Sequence, residues 1–163
     1  MPHLPRLTRE LRALLDARRV AALGTIGDDG RPLVSMVPYA VERALGCFVI
    51  HVSDLAAHTH NLLARPHVSL LVMQGEVEGE PVHALPRVSF DGTARVPQRE
   101  GAEWQACRAA YLARFPDAEP MTQFGDFRFV AVEVAGARQV AGFGSARSID
   151  ADEVRLALRD GTD

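Results

Sequence analysis

At 163 residues, 47% hydrophobic and 24% charged, the chain is long enough to bury a core as one domain and too apolar to be disordered. A formal net charge of −3 and a pI near 6.1 offer no general attraction for nucleic acid or anionic lipid. All 18 basic residues are arginine, which excludes lysine Schiff-base chemistry and a lysine phosphate clamp.

No stretch reaches the roughly 18–20 apolar residues of a membrane span, and the N-terminal "MPHLPRLTRELRALL" is interrupted by charge, unlike a signal peptide. The expectation is a cytoplasmic protein with neither a nucleic-acid nor a membrane partner. Cys47 and Cys107 each sit in an apolar pattern and read as buried free thiols.

In chain order, Leu7, Leu11, Leu14 and Leu15 recur at helical spacing and predict an amphipathic helix over residues 6–18. The period then changes. "VAALGTI" (20–26) and "LVSMVPY" (33–39) read as strands joined by the Asp-Gly turn of "GDDGRP". Pro38 has no N–H to give a ladder, so it marks an edge, a bulge or backbone turned toward a ligand.

"CFVIHV" (47–52) is a third strand, followed by a predicted helix over 54–64 that stops before Pro66. "VSLLVM" (68–73) is a buried-type strand, and the acidic stretch 74–86 is an exposed loop. The strand "RVSFDGTARVP" (87–97) is interrupted at Gly92, where a bulge is expected.

Trp104, Cys107, Tyr111 and Phe115 form one stripe of a helix over 99–115, and such a stripe reads as core. "DFRFVAVEV" (126–134) is a strand, "RQVAGFGSA" (138–146) returns beside it, and 150–160 is a capped helix. Strands joined by short turns with few helices between them predict a mainly β (α+β) domain: a six-stranded antiparallel split barrel with peripheral helices.

The stretch "HVSDLAAHTHN" (51–61) is the densest concentration of chemistry. A metal site is not expected, because His58 and His60 stand two apart, about 200° around a helix axis, whereas helical zinc pairs share a face. Ser53, His58 and Asp54 are the right types for a nucleophile site but lack the strained Gly-x-Ser-x-Gly turn that presents a serine. Two readings stay open. Ser53 or Asp54 could cap a helix whose free amides, with Ser53, Thr59 and His58, hold an anion, or Ser53 merely caps and the histidines are solvated.

The order of "PLVSMVPY", "GCFVIHVSDLAAHTHNLLARPHVSLLV" and "PRVSFDGTARVP" resembles the FMN-binding split barrel of the pyridoxamine 5'-phosphate oxidase-like superfamily. "FVIHVS", "AHTHNL", "YLARFPDAE" and "GFGSA" resemble its haem-utilisation (HugZ-like) branch. The resemblance spans residues 15–148. It implies a homodimer with FMN at the subunit interface and an oxidoreductase whose cofactor transfers hydride or electrons between a donor and a small-molecule substrate. It places Ser35, Met36, Val37, Pro38 and Tyr39 beside the isoalloxazine, with His51, Val52 and Ser53 at the next strand end. His58 and Thr59 fall at the phosphate, and Arg87 falls where the family has a glutamine beside the ring. Phe143 of "GFGSA" is a further neighbour of the ring or an ordinary core residue.

The chain departs from the oxidases at that phosphate, where their arginine and lysine fall on Ala57 and His58. It also lacks their C-terminal tryptophan and arginine pattern, so vitamin B6 oxidation is not expected. The alternative cofactor is haem, with an axial ligand among His3, His51, His58, His60, His67 and His83. Haem-degrading members usually carry a further C-terminal domain, which puts FMN first in this reading. A third reading is a barrel without cofactor chemistry that binds a small molecule.

Overall fold

The computed structural model describes residues 4–159, so His3 and the last four residues lie outside the described region. Helix α1 (Arg6–Ala17) leads into strands β1 (Val20–Ile26), β2 (Pro32–Pro38), β3 (Ala40–Glu42) and β4 (Cys47–Ser53). After α2 (Ala57–Ala64) come β5 (His67–Met73), β6 (Arg87–Arg95), α3 (Ala102–Arg114), β7 (Phe127–Val140), β8 (Ala146–Asp150) and α4 (Ala151–Leu158).

The described residues form one antiparallel sheet in the order β2-β1-β5-β6-β7-β4-β3, with β8 added to β7. It has eight strands rather than the expected six. The chain turns again after Pro38 to make the short β3. In addition, β7 does not end near residue 134 but continues for 14 residues, pairing with β4 along its first half and with β8 along its second. The return strand is therefore 146–150, and "GFGSA" is the turn. There Gly142 (φ 138°) and Gly144 (φ 72°) supply the left-handed conformations, and Phe143 stands in solvent, 73% exposed.

Alternation fills the barrel. Leu23, Val37, Tyr39, Phe48, Ile50, Val52, Leu70, Val88, Phe90 and Val132 point inward, and Leu11 and Leu15 of α1 join the same core. A second cluster forms on the other face of β4 and β7, where Cys47, Val49, Phe129 and Ala131 meet Cys107 and Tyr111 of α3. Both cysteines are free thiols buried in this cluster, as their apolar settings predicted. Among the described residues, no helix is long and apolar enough to cross a membrane.

Two backbone features position the rest. Gly27 N donates to Arg31 O and Tyr39 N donates to Arg19 O, at 2.9 and 3.2 Å. By antiparallel alternation, the odd-numbered residues of β2 then bond to β1, while Pro32, Val34, Met36 and Pro38 turn their backbone to the sheet's open edge. Pro38 therefore marks an edge and costs no ladder bond. At Gly92 the β6–β7 register shifts, and an added Cβ would stand 2.7 Å from Val132 Cγ1 and 2.8 Å from Glu133 O. Gly92→Ala should lower the free energy of unfolding by about 1–3 kcal/mol through overpacking. Urea denaturation checks this, and an unchanged midpoint would show that the bulge has room.

Candidate functional site

The strand-to-helix junction differs from its expected form. The helix begins at Ala57 rather than at 54, with Ala56 in the cap position and no side-chain cap. Ser53 Oγ instead accepts from Leu55 N at 3.2 Å, and Ser53 O accepts from Thr59 Oγ1 at 2.6 Å. The hydroxyl of Thr59, fully buried, is thereby committed to the backbone. Asp54 turns outward to a two-pronged pair with Arg128 at 2.5 and 2.8 Å, which holds its carboxyl below the usual range. Among the described residues, no acceptor faces the amides of Ala57 and His58.

His58 lies half-buried beside β2, where its Nδ1 is 3.0 Å from Ser35 Oγ. Burial lowers the pKa of its imidazole, so the neutral form dominates at neutral pH. Among the described residues, the corner has hydroxyl, imidazole and two amides, and no cation pairs with any of them. Its neighbouring arginines are already paired, Arg128 with Asp54 and Arg65 with Asp28.

The other sequence-derived positions divide between the two faces of their strands. Val37 and Val52 are barrel core. Tyr39 is fully enclosed, its hydroxyl donating to Leu15 O at 2.8 Å, and burial pushes the phenol up to about 12. A ligand at Val37, Tyr39 or Val52 would meet backbone only.

His51 faces α3 instead, with ring centroids 4.5 Å from Phe129, 5.2 Å from Phe127 and 5.7 Å from Tyr111. Burial, with a smaller contribution from Arg99, brings its pKa down to about 4. His51 is an aromatic-cluster residue and its ring does not join the Ser35–His58 corner. The guanidinium of Arg87 is turned onto the carbonyls of Leu85 and His83, at 3.0 and 3.3 Å. It lines a cavity of about 430 Å³ shared with Arg6, Arg18 and Gln139.

The structure also presents an apolar face on β2. Met36 and Pro38 belong to the outer side of β2 with Val34, and Val34 and Met36 are 70% and 65% exposed. Register sets Ala22 opposite Met36 and Leu71, and Gly24 opposite Val34 and Ser69. The outer face of β2, β1 and β5 is therefore a continuous apolar surface, with Val20, Ile26 and Met73 also exposed on it. His67 begins β5 on this face and, with Ile26, Pro32, Ser69 and Asp91, lines a recess of about 510 Å³. Arg18 borders the opposite end, at Val20, Met36 and Met73, and also reaches the cavity of Arg87. The signal was present in "PLVSMVP": a strand with one solvated face should not place Val34 and Met36 there.

The family described as pyridoxamine 5'-phosphate oxidase matches residues 7–141. The chain belongs to the pyridoxamine 5'-phosphate oxidase family. Within it, the chain falls in the haem-utilisation branch. It is 30% identical over 150 residues to the heme oxygenase HutZ of Vibrio cholerae, covering 91% of this chain and 84% of that one. It is 35% identical over 140 residues to the non-canonical chloroplastic heme oxygenase HOZ of Arabidopsis thaliana, covering 84% of this chain but 41% of that protein.

Among solved structures, a heme binding protein from Mycobacterium smegmatis superposes with a TM-score of 0.83 at 31% identity. That match covers 93% of this chain and 61% of the other, so the chain spans about three fifths of that relative. Preferring FMN because haem-degrading members carry a further domain does not survive the HutZ match, which extends over most of a protein named for haem oxygenation.

For a pyridoxamine 5'-phosphate oxidase family barrel, the neutral His51 has a measurable consequence. Its pKa of about 4 lies below the ordinary value of 6.5, so the unfolded chain binds a proton there that the folded chain refuses. His51 therefore costs stability as pH falls from 6.5 toward 4. His51→Phe should flatten the decline of the melting temperature between pH 6.5 and 5, and an identical slope in both proteins would contradict this setting.

Proposed function

We propose that this chain binds haem, and that two copies pack their outer β2-β1-β5 faces to enclose it. The observation that carries the reading is the exposed apolar face around Val34 and Met36, bordered by His67 at one end and Arg18 at the other. A tetrapyrrole has the matching character: a broad apolar ring and two carboxylates. The face would receive the ring, and Arg18 with Arg87 would receive the carboxylates. His67 is the imidazole on that face offered to the iron. Haem supplies redox and oxygen chemistry once bound, while the protein excludes water and fixes orientation. The names of HutZ, HOZ and the mycobacterial structure support this reading.

The FMN reading keeps one specific observation, the unpaired amides of Ala57 and His58 beside the Ser35 hydroxyl. Against it stands the chemistry of the corner. A phosphate monoester would be held there by dipoles and a neutral imidazole, without a guanidinium or ammonium. If FMN binds at this corner, His58→Ala weakens it, and affinity in the native protein falls as pH rises through the imidazole's pKa.

Titration of purified protein with hemin and, separately, with FMN decides between the cofactors. Haem binding predicts a saturable Soret band, shifted and weakened in His67→Ala, with little quenching of flavin fluorescence. Flavin quenching that His58→Ala abolishes, with no specific Soret band, would overturn the haem reading. Neither signal would leave a barrel that binds some other small molecule. Decay of the Soret band with a reductant in air, yielding a linear tetrapyrrole, would extend binding to oxygenase activity.

A further inference from the structure

On the side of the barrel covered by α3, away from the β2-β1-β5 face, lies a small recess of about 220 Å³. Its walls are aromatic. Trp104 stands edge-on to Phe129 with centroids 5.6 Å apart, and Phe127 stacks against His51 at 5.2 Å. Two guanidinium groups line it, but they differ. Arg128 is neutralised by its two-pronged pair with Asp54. Arg99 donates only to carbonyls, Phe124 O at 3.5 Å and Gln123 O at 3.4 Å, which leaves its charge without a carboxylate among the described residues. Glu100, next to Arg99 in sequence, and Asp126, next to Gly125, do not line the recess.

The backbone next to Arg99 has features of its own. Glu100 sits at φ 63°, a left-handed conformation that non-glycine residues rarely hold, directly beside Arg99. Gly125 lines the recess, and an added Cβ there would meet nothing within 4 Å.

We propose that this recess binds a small aromatic carboxylate, with the ring between Trp104 and Phe127 and the carboxylate on Arg99. The volume excludes a porphyrin or a flavin and admits a single ring. Flat π faces accept a planar ring edge-on or offset, while the unneutralised guanidinium selects an anion over a neutral or cationic isostere. The site is independent of the haem reading and shares none of its residues.

Benzoate is the probe, and the intrinsic fluorescence of Trp104, the sole tryptophan, is the readout. The expected result is a saturable change in emission at millimolar benzoate, weakened by salt because Arg99 is exposed. Neutral benzamide should bind roughly tenfold or more weakly, as loss of a charge-assisted hydrogen bond implies. Arg99→Leu should lose the same factor while hemin uptake and circular dichroism stay unchanged. Absence of a saturable signal overturns the proposal, as does equal affinity for benzamide or for benzoate in Arg99→Leu. If that variant does not fold, the benzoate–benzamide comparison on the native protein decides.

Discussion

Strand β2 carries apolar side chains on both faces, and its own chain can bury only one of them. Val37 and Tyr39 go inward, where they pack with Phe48 and the leucines of α1. That choice fixes Val34 and Met36 outward, because successive side chains of a strand alternate. The strand is also an open edge of the sheet, yet Pro32 and Pro38 remove donors from that edge and discourage strand addition. Face packing remains available where edge pairing does not. In the proposed dimer, a second copy and an apolar ring supply the missing cover.

The electrostatics lead to the same reading. With no lysine in the chain, every fixed cation is a guanidinium, and most arginines near the α2 corner are already engaged by carboxylates. The corner of Ser35 and His58 is therefore neutral where the resemblance to the oxidases implies positive charge at the phosphate. Arg18 and Arg87, by contrast, stand at the end of the apolar face, where the carboxylates of an amphiphilic ring would lie. Haem and FMN differ in how much fixed charge each needs and where, and on that criterion the residues fit haem better.

Much of the fold was legible because its signals are local. The leucine period of α1, the Asp-Gly hairpin, the interruption at Gly92 and the aspartate cap of α4 each follow from residues close in sequence. The extra strands were not legible. The continuation of β7 through Gly136 depends on β8 folding back beside it, a partner that no local pattern announces. The site was less readable still. Ser53 and Asp54 have cap chemistry, but a turn hydrogen bond and a distant arginine, Arg128, compete for them and win. The family resemblance set His51 at the strand end beside the cofactor, and strand alternation turns its ring to the aromatic side. The contact of Ser35 with His58 was not legible, since 23 residues separate them and the family resemblance set one beside the ring and the other at the phosphate.

The central claim is that the outer β2 face is covered by a second copy and that haem sits within that cover. Sedimentation velocity on the native protein and on Met36→Asp, each with and without hemin, tests it most directly. The account predicts a native dimer that carries haem, and a folded Met36→Asp monomer that neither associates nor retains it. A native protein that stays monomeric while binding haem, or a Met36→Asp variant that dimerises and loads haem normally, would contradict it.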